Sequence, residues 1–308
     1  MAGDPLSEIL AFVGARCRVA GGFTAGGRWG IRFPRPGMVK FGVIAKGACW
    51  MRLDDIETPL RLDAGDVYFV KGDRPFDLVS DFDVHPEDAV AAFRDAPDAM
   101  VRLGSGDDVL YLGGHVALEE TRGALLIDEL PPVIHVAGAS EQAAGLQWLV
   151  RELVSEVRAG RAGTDLSTAN LAQLLFVRVL RTHLDTGGDA GVGWLRGLGD
   201  ARIAAALSMM HAEPGRPWQL RELARAVGMS RSVFAARFKA TVGTAPLSYL
   251  TAWRMRLAAQ ALERDADPVS RIAETLGYTS VSAFSNAFKR TTGAAPKRFQ
   301  SALRASAG

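Results

Sequence analysis

The sequence predicts an α+β protein of several domains: a β-rich N-terminal region, a helical hairpin, and an all-α C-terminal region that contains two helix-turn-helix units. Three observations lead to this fold class. Apolar residues alternate along residues 22–136, they change to a helical period over 140–184, and one helical pattern occurs twice near the C-terminus. The chain has 308 residues, of which 48% are hydrophobic, enough for two or three domains with ordinary cores.

The N-terminal region is predicted to consist of short strands. Trp29, Ile31 and Phe33 alternate with other residues, as do Cys49 and Met51. Glycines separate these runs and no amphipathic helix intervenes, which favours an antiparallel sandwich or barrel over a parallel sheet. Residues 81–108 are rich in Asp, Pro and Ala, and they predict an exposed excursion with a short helix near 87–94.

A helical hairpin is predicted next, over residues 140–185. Two apolar stripes have helical spacing and are joined by the glycine-containing segment 159–164; they comprise Leu146, Leu149, Val150, Leu153 and Val157, and then Leu171, Leu174, Leu175 and Val179. These faces either pack on the sheet or pair with a second subunit in a homodimer. Residues 186–193 contain four glycines, which is typical of a flexible linker.

The repeated C-terminal pattern predicts two helix-turn-helix units, around Gly228 and Gly277. Each begins with an amphipathic stripe, such as that of Leu220, Leu223, Ala224 and Val227, which ends at a turn glycine. A short helix follows, with two phenylalanines four residues apart and a lysine directly after the second. Each unit closes with a glycine suited to a left-handed C-cap and a proline three residues later. The corresponding residues are Phe234, Phe238, Lys239, Gly243 and Pro246 in the first unit and Phe284, Phe288, Lys289, Gly293 and Pro296 in the second. A chain that builds such a unit twice is expected to read two neighbouring stretches of DNA.

Charge is distributed unevenly along the chain. From Trp194 to the end there are 17 Lys and Arg against 7 Asp and Glu, whereas residues 1–193 contain 19 against 27. The overall net charge of +2 conceals this polarity. The basic C-terminal third is suited to neutralising phosphates, and the acidic remainder would be repelled by nucleic acid.

The sequence argues against export and membrane insertion. Residues 1–10 have no basic segment and contain Asp4 and Glu8, unlike a signal peptide, and no uncharged apolar run approaches the roughly 18 residues that span a bilayer. Two cysteines do not form a disulfide framework in a chain of this size. We therefore expect a cytoplasmic protein without a membrane partner.

Residues 200–299 resemble the double helix-turn-helix domain of the AraC/XylS family of transcription regulators. The resemblance is carried by Gly277-Tyr278-x-Ser280-x-x-x-Phe284-x-x-x-Phe288-Lys289-x-x-x-Gly293-x-x-Pro296. The N-terminal region resembles the cupin-like ligand-binding domain of many such regulators, through Gly47-x-Cys49-Trp50 and Leu62-x-x-Gly65-Asp66-Val67.

This resemblance implies seven helices in the C-terminal domain, with the two units held apart by a long linker helix, which the sequence supplies near 247–262. Two recognition helices enter successive major grooves only if they are held about 34 Å apart. The expected domains are a cupin-like antiparallel β-barrel at 1–139, the hairpin at 140–185, a linker at 186–199 and the DNA-binding domain at 200–303.

Helical geometry predicts which side chains face DNA. If the phenylalanines point inward, the opposite faces present the base contacts Ser232, Ala235, Ala236, Ser280, Ser282, Ser285 and Asn286. Asn286 is the best candidate for reading an adenine edge. Relatives often carry arginine at the positions of Ala236 and Asn286, so shape readout or thymine-methyl contact is expected to contribute more in the first unit. The expected phosphate contacts are Arg231, Arg237, Lys239, Arg254, Lys289, Arg290, Lys297 and Arg298.

The N-terminal domain is expected to bind a small-molecule effector. Candidate pocket residues are the interior-facing Trp29, Phe33, Phe41, Cys49 and Met51, which core packing explains equally well. An enzyme is the competing class, because cupin barrels often hold a metal between histidines and a glutamate. The five histidines form no His-x-His pair, so we predict no metal, cofactor or catalytic residue, although His115 and His135 could still meet in space.

A redox-sensing regulator is a narrower alternative. Cys17 lies between Arg16 and Arg18, which would lower its pKa, whereas Cys49 is expected to be a small buried hydrophobe. The favoured interpretation is an effector-responsive regulator that binds double-stranded promoter DNA and acts with RNA polymerase. Whether it activates or represses depends on where its operator lies.

Overall fold

The computed structural model describes residues 4–94, 96, 100–119, 122–140, 143–186, 192–264 and 267–306. The chain divides into two compact units, Leu10–Ala190 and a second one formed by Met1–Ile9 with Gly191–Gly308. The division falls inside the first helix, α1 (Pro5–Phe12).

The unit Leu10–Ala190 contains the strands. In chain order they are β1 (Arg16–Gly26), β2 (Gly30–Phe33), β3 (Val39–Lys46), β4 (Ala48–Leu53), β5 (Ile56–Asp63), β6 (Val67–Val70), β7 (Phe76–Val79), β8 (Glu87–Asp88), β9 (Met100–Gly104), β10 (Val109–Ala117) and β11 (Val133–Val136).

These strands form two sheets, with the orders β11-β6-β3-β10-β1-β9 and β5-β4-β7-β2-β8. The predicted α+β class and β-rich N-terminal domain are confirmed, but the ladders do not close into one continuous barrel. Most neighbours are antiparallel, as predicted, while β9 pairs with β1 and β8 pairs with β2 in parallel. Both parallel strands come from residues 81–108, so that segment is partly built into the sheets and is not wholly an exposed excursion.

Alternating side chains from both sheets fill the interior between them. In β4, Cys49, Met51 and Leu53 are buried, whereas Trp50 and Arg52 between them are half-exposed. Phe23 and Tyr111 from the first sheet and Phe33 from the second belong to the same core cluster. The period-two pattern of the sequence therefore identified the inward face correctly in these strands.

Helices occupy the remaining positions in this unit. They are α2 (Ala89–Arg94), α3 (Ala124–Ile127), α4 (Ala144–Ala159) and α5 (Thr164–Asp185). The helical hairpin α4–α5 packs on the first sheet, where the rings of Phe69 in β6 and Phe176 in α5 are 5.0 Å apart. One residue of the predicted second stripe is wrong: Leu174 is exposed, because the buried face of α5 passes through Ala172, Leu175, Phe176 and Val179.

The other unit is helical. Its helices are α6 (Trp194–Leu198), α7 (Ala201–Ala212), α8 (Leu220–Ala226), α9 (Arg231–Val242), α10 (Pro246–Arg264), α11 (Val269–Thr275), α12 (Val281–Thr292) and α13 (Pro296–Ser306). Seven of these helices, α7–α13, begin within the domain predicted at 200–303, which is the number that the resemblance implies. The eighth, α6, lies in the segment predicted as linker, where Trp194 and Leu195 are buried. Of the glycine-rich segment, 187–191 lies outside the described residues.

The two repeated units have the predicted local structure. Gly243 and Gly293 end α9 and α12 in left-handed conformation, with φ of 83° and 82°, which glycine adopts without steric cost. The hydroxyls of Ser230 and Ser280 cap the same two helices, accepting hydrogen bonds from the backbone N–H groups of Val233 and Ala283.

No helix in the described ranges is long and apolar enough to cross a membrane.

Candidate nucleic-acid interface and ligand cavity

The second helix of each repeated unit presents a polar or small-residue face to solvent. Phe234 and Phe238 in α9 and Phe284 and Phe288 in α12 are completely buried, as predicted. On the opposite faces, every predicted base-contact residue is at least partly accessible: Ser232, Ala236, Ser280, Ser282 and Asn286 are exposed, and Ala235 and Ser285 are half-buried. The structure therefore leaves these seven side chains available to a ligand as large as DNA.

Ser280 has a structural task as well as an exposed position. Its Oγ accepts a hydrogen bond from the backbone N–H of Ala283 at 3.1 Å and so starts α12. An N-cap contributes about 1 kcal/mol to helix stability. The hydroxyl proton of Ser280 is still free to donate to an acceptor, so its predicted contact with a base stays a prediction.

Seven of the predicted phosphate-binding cations are exposed. One is Arg237, and the other six are Arg231, Lys239, Lys289, Arg290, Lys297 and Arg298. None of the ion pairs found among the described residues involves these six. Their charge is therefore not neutralised by a neighbouring carboxylate in this part of the chain.

Arg237 in α9 differs from these six cations. Its Nε donates a hydrogen bond of 2.5 Å to Oδ2 of Asp200, the residue that also caps α7. Burial of Asp200 raises the pKa of its carboxyl, but hydrogen bonds from Arg237 and from the N–H groups of Ile203 and Arg202 outweigh burial and hold that pKa below its ordinary value. Arg237 thus fastens α9 to the start of α7.

Arg254 in α10 differs from the other predicted phosphate contacts. Its Nε and Nη2 donate to the carbonyl oxygens of Pro214 and Arg216, at 2.5 and 2.7 Å. Its Cζ lies 5.9 Å from the ring centre of Tyr278, which packs edge-on against Phe284 of α12 at 5.5 Å. The guanidinium thus joins the loop that leads into the first repeated unit to Tyr278 of the second, and its contact with phosphate stays a prediction.

The loop between α7 and α8 also touches the turn of the second unit, beside this arginine. A Cβ at Gly277 would lie 2.0 Å from the carbonyl oxygen of Gly215, and Gly277 has a φ of +81°. Because both the contact and the conformation exclude a side chain, glycine is required at the turn of the second unit. The second unit is therefore held by the loop that leads into the first unit as well as by the linker helix α10.

A buried histidine was missed by the sequence reasoning. His211 in α7 stacks on Trp253 of α10 with ring centres 4.1 Å apart, and its Nε2 lies 2.9 Å from the Tyr249 hydroxyl. Burial, with a smaller contribution from Arg256, lowers the pKa of His211 to about 4. The sequence feature that predicts its burial is spacing: His211 comes eight residues after Ile203, which places both on the apolar face of α7.

A cavity of about 380 Å³ lies in the unit Leu10–Ala190. Its floor is formed by β1, β10 and β3, and its walls by α2 and the loop between β2 and β3. Of the predicted pocket residues, Phe33 lines this cavity. Trp29, Cys49 and Met51 belong to the core cluster instead.

Phe41 lies on the other face of the first sheet, contrary to the prediction that it faces the interior. Its ring is 5.6 Å from that of Phe69, which packs on Phe176 of the hairpin. Ile44, three residues later in β3, is in the interior cluster, and residues an odd number apart in a regular strand face opposite sides. Phe41 is therefore covered by the helices.

The premise of the redox alternative is wrong. Cys17 is buried, and burial raises the pKa of its thiol to about 12 despite the adjacent arginines. Its backbone N–H donates to Oε1 of Gln173 in α5, at 3.0 Å. A thiol in this state is a poor nucleophile toward oxidants.

The two histidines considered for a shared metal site do not meet. His115 is in β10 and His135 is in β11, and β3 and β6 lie between these strands in the sheet. The Nε2 atom of His135 lies 2.8 Å from the carboxylate of Asp66, which also accepts hydrogen bonds from the N–H groups of Gly138 and Asp63. Asp66, part of the motif around Gly65, thus organises a turn.

Comparisons with known proteins agree with this division of the chain. A family model described as Cupin matches residues 4–185, and one described as Helix-turn-helix domain matches residues 223–302. A protein of Streptomyces antibioticus described as an AraC-like transcription regulator is 40% identical over 293 residues, covering 95% of this chain and 97% of its own. The transcriptional regulator AlkR of Acinetobacter baylyi is 32% identical over 250 residues, or 78% of each chain.

Solved structures with similarity to this chain include two that differ in how much of it they cover. The DNA-binding domain of AdpA in complex with a target DNA is 30% identical, covers 35% of this chain and 96% of its own, and superposes with a TM-score of 0.33. ToxT of Vibrio cholerae O395 covers 94% of this chain and 98% of its own, at 12% identity and a TM-score of 0.35.

Proposed function

Because this chain belongs to the AraC-like family of transcription regulators, we propose that α9 and α12 read promoter DNA and that the cavity in the N-terminal unit binds a small-molecule effector. The observation that carries the proposal is the repeated pair of helices, each anchored by two buried phenylalanines and each exposing its opposite face. To enter the major groove, a recognition helix needs one face packed against its own domain and the opposite face exposed to solvent.

Base readout is assigned to the exposed faces of these helices. Asn286 is suited to a bidentate contact with adenine, and Ser282 and Ser285 flank it on α12. On α9, Ala235 and Ala236 offer only methyl groups, which suit thymine methyls. The second unit would therefore supply most of the hydrogen-bonded sequence discrimination.

Phosphate binding is assigned to the six exposed cations that form no ion pair among the described residues. Arg237 has a lesser role, because its Nε donates a hydrogen bond to Asp200. Arg254 receives a different role. Its two hydrogen bonds to the loop at Pro214 and Arg216, together with its contact to Tyr278, make it a positioning residue that sets the relation between the two units.

Further partners follow from the same proposal. The hairpin exposes Trp148, Leu166 and Leu174, which supports homodimerisation through α4 and α5. A promoter-bound regulator acts in the cytoplasm with RNA polymerase, and it needs no catalytic group, cofactor or metal for that task.

Sequence-selective binding tests the proposed function. The full chain would be challenged with a pool of randomised duplexes, and the enriched sequence then compared with a scrambled duplex in a mobility-shift assay at fixed salt. We expect enrichment of a defined site and binding about 1,000-fold or more tighter than to the scrambled duplex. The variant Asn286→Glu should retain its fold and lose this preference. The matched control is Asn170→Glu, at an exposed position of α5, which should keep the preference. Equal affinity for both duplexes in the unmodified chain would refute the proposal.

A further inference from the structure

The floor of the cavity is built from three rows of residues that run across neighbouring strands. Strand registers pair Phe23 with Tyr111 and Tyr111 with Ile44, giving an apolar row across β1, β10 and β3. The next row is made of glycines at 21, 113 and 42. All these positions face the interior, because Phe23, Tyr111 and Ile44 belong to the core cluster.

The glycine row makes room for tyrosine rings and for a ligand. A Cβ at Gly113 would lie 2.2 Å from the hydroxyl oxygen of Tyr111, and one at Gly42 would lie 2.3 Å from the ring of Tyr68. The two tyrosine hydroxyls are 3.2 Å apart, so one donates to the other and the pair keeps a second proton to donate. The two hydroxyls thus lie beside the floor of the cavity as hydrogen-bonding groups.

The third row is basic. Arg18 of β1 is opposite His115 of β10, and His115 is opposite Lys40 of β3. Arg18 and Lys40 are therefore the two cations of this row, on either side of His115. No carboxylate among the described residues forms an ion pair with any of the three.

Lys40 lies in surroundings that disfavour its charge. Burial lowers the pKa of Lys40. Burial and then the charges of Lys40 and Arg18 lower the pKa of His115. A bound anion would therefore make the environment of the Lys40 ammonium more favourable.

Most of the remaining lining is apolar and partly aromatic. Lys40 lines the cavity at the basic end, and the exposed Arg35 is a second cation in the lining. The apolar lining includes Phe33, Pro34, Met38, Val90 and Phe93. A volume of about 380 Å³ lies at the small end of the range for small-molecule sites, which runs from about 300 to 1,000 Å³.

We propose that this cavity binds a small carboxylic acid with an apolar, aromatic body, whose carboxylate pairs with Lys40 beside the tyrosine hydroxyls and whose body lies against Phe33 and Phe93. This assignment rests on the proposed effector-binding function and adds the chemical class of the effector. A single carboxylate suits the site because the ammonium of the half-buried Lys40 and the hydroxyl pair supply donors for one planar head group. The basic row is then stabilised by the ligand that it recognises.

The test compares two probes that share a phenylpropyl body and differ in the head group: 3-phenylpropionate, with a carboxylate, and the neutral alcohol 3-phenyl-1-propanol, titrated into the full chain by calorimetry at pH 7. We expect the carboxylate to bind at least 10-fold more tightly. The variant Lys40→Met keeps a long unbranched side chain and removes its charge, so it should weaken binding of the carboxylate at least 10-fold and leave binding of the alcohol unchanged. Lys46→Met, on the same strand but exposed and outside the lining, is the matched control.

A second variant reports on the cavity itself. Val90 is exposed on α2 at the cavity wall, so Val90→Trp should fold and should block both probes. Unchanged binding in Val90→Trp, equal binding of the two probes, or no saturable binding of the carboxylate at millimolar concentration would overturn the assignment. Sequence-selective DNA binding is measured without any probe, so its loss would refute the proposed function separately.

Discussion

The two recognition helices are built alike on the inside and differently on the outside. In α9 and α12 the phenylalanines, the following lysine, the capping serine and the closing glycine occupy equivalent positions. The outer faces differ: Ala235, Ala236 and Arg237 in α9 correspond to Ser285, Asn286 and Ala287 in α12. Arg237 is tied to Asp200, whereas Ala287 is buried.

This difference separates the requirements of folding from those of recognition. The inner face needs two aromatic side chains to dock a short helix, and both units meet that need identically. The outer face has no packing partner within the described chain, so its composition reflects what it contacts. Hydrogen-bonding side chains are concentrated on α12, which assigns base discrimination mainly to the second unit and docking to the first.

The shared inner face is tested by removing one anchor from each unit. Phe234→Ala and Phe284→Ala each delete a completely buried ring and should lower the free energy of unfolding by about 3–5 kcal/mol. Urea denaturation followed by circular dichroism measures the loss. Similar values support equivalent anchoring, and a value below about 1 kcal/mol in either unit would contradict it.

The cores behind the helices should respond differently to pH. Among the described residues, no buried histidine or carboxylate lies in the second repeated unit, whereas His211 is buried behind the first unit. The pKa of His211 is lowered in the folded state to about 4 from an ordinary 6.5, so its contribution to stability is complete above about pH 6.5 and is lost as the pH falls toward 4. The loss should be on the order of 3 kcal/mol, from 1.36 kcal/mol per pKa unit.

The control for this prediction is His211→Phe, which keeps an aromatic ring against Trp253 and cannot be protonated. Unfolding free energies of both proteins would be measured between pH 7 and 4, since carboxylates such as Glu8, 3.2 Å from Nδ1 of His211, titrate in the same range. The difference between the two curves isolates the histidine. Parallel curves would rule out a neutral buried His211.

The difference in base readout between α12 and α9 is tested by exchanging the residues at one equivalent position, Asn286 and Ala236. Asn286→Ala should reduce discrimination at one base pair by about 1–3 kcal/mol, the usual value of a bidentate contact. The reciprocal Ala236→Asn should introduce a new preference at the equivalent position of the other half-site. Competition binding with single-base variants of the operator measures both. If Asn286→Ala leaves every base preference unchanged, the second unit does not read sequence as assigned.

The smallest expected difference concerns the lysines. Lys239→Ala and Lys289→Ala should each flatten the slope of log K against log salt concentration by about 0.9, without changing base preference. Arg237→Ala should have a smaller effect, because its charge is already paired with Asp200. Mobility shifts at several salt concentrations give the slopes. An Arg237 effect larger than either lysine effect would show that the ion pair opens on DNA.

Local periodicity accounts for what the sequence predicted well. The turn glycines, the caps and the inward phenylalanines follow from patterns within a dozen residues, and they appear as predicted in α8–α9 and α11–α12. The same holds for the alternating residues of β4. Such features depend on the backbone conformation of a single element.

Long-range contacts account for what was missed. Arg254 looks like another surface cation in sequence, and only the fold brings its guanidinium to the carbonyls of residues about 40 positions earlier. The predictions for Phe41 and Cys17 were wrong for a related reason. Helices α4 and α5 cover one face of the first sheet, and alternation in the sequence does not distinguish that covered face from the interior. The basic row of Arg18, His115 and Lys40 requires the register of three strands, which no local pattern specifies.

Footprinting of the full chain on its selected operator tests the central claim most directly. Hydroxyl-radical cleavage would be compared for the unmodified protein and for Asn286→Ala. The account predicts two protected segments on one face of the duplex, separated by about one helical turn of 10–10.5 base pairs, with the variant altering one segment only. A single protected segment, or two segments on opposite faces, would contradict the claim that α9 and α12 enter successive major grooves.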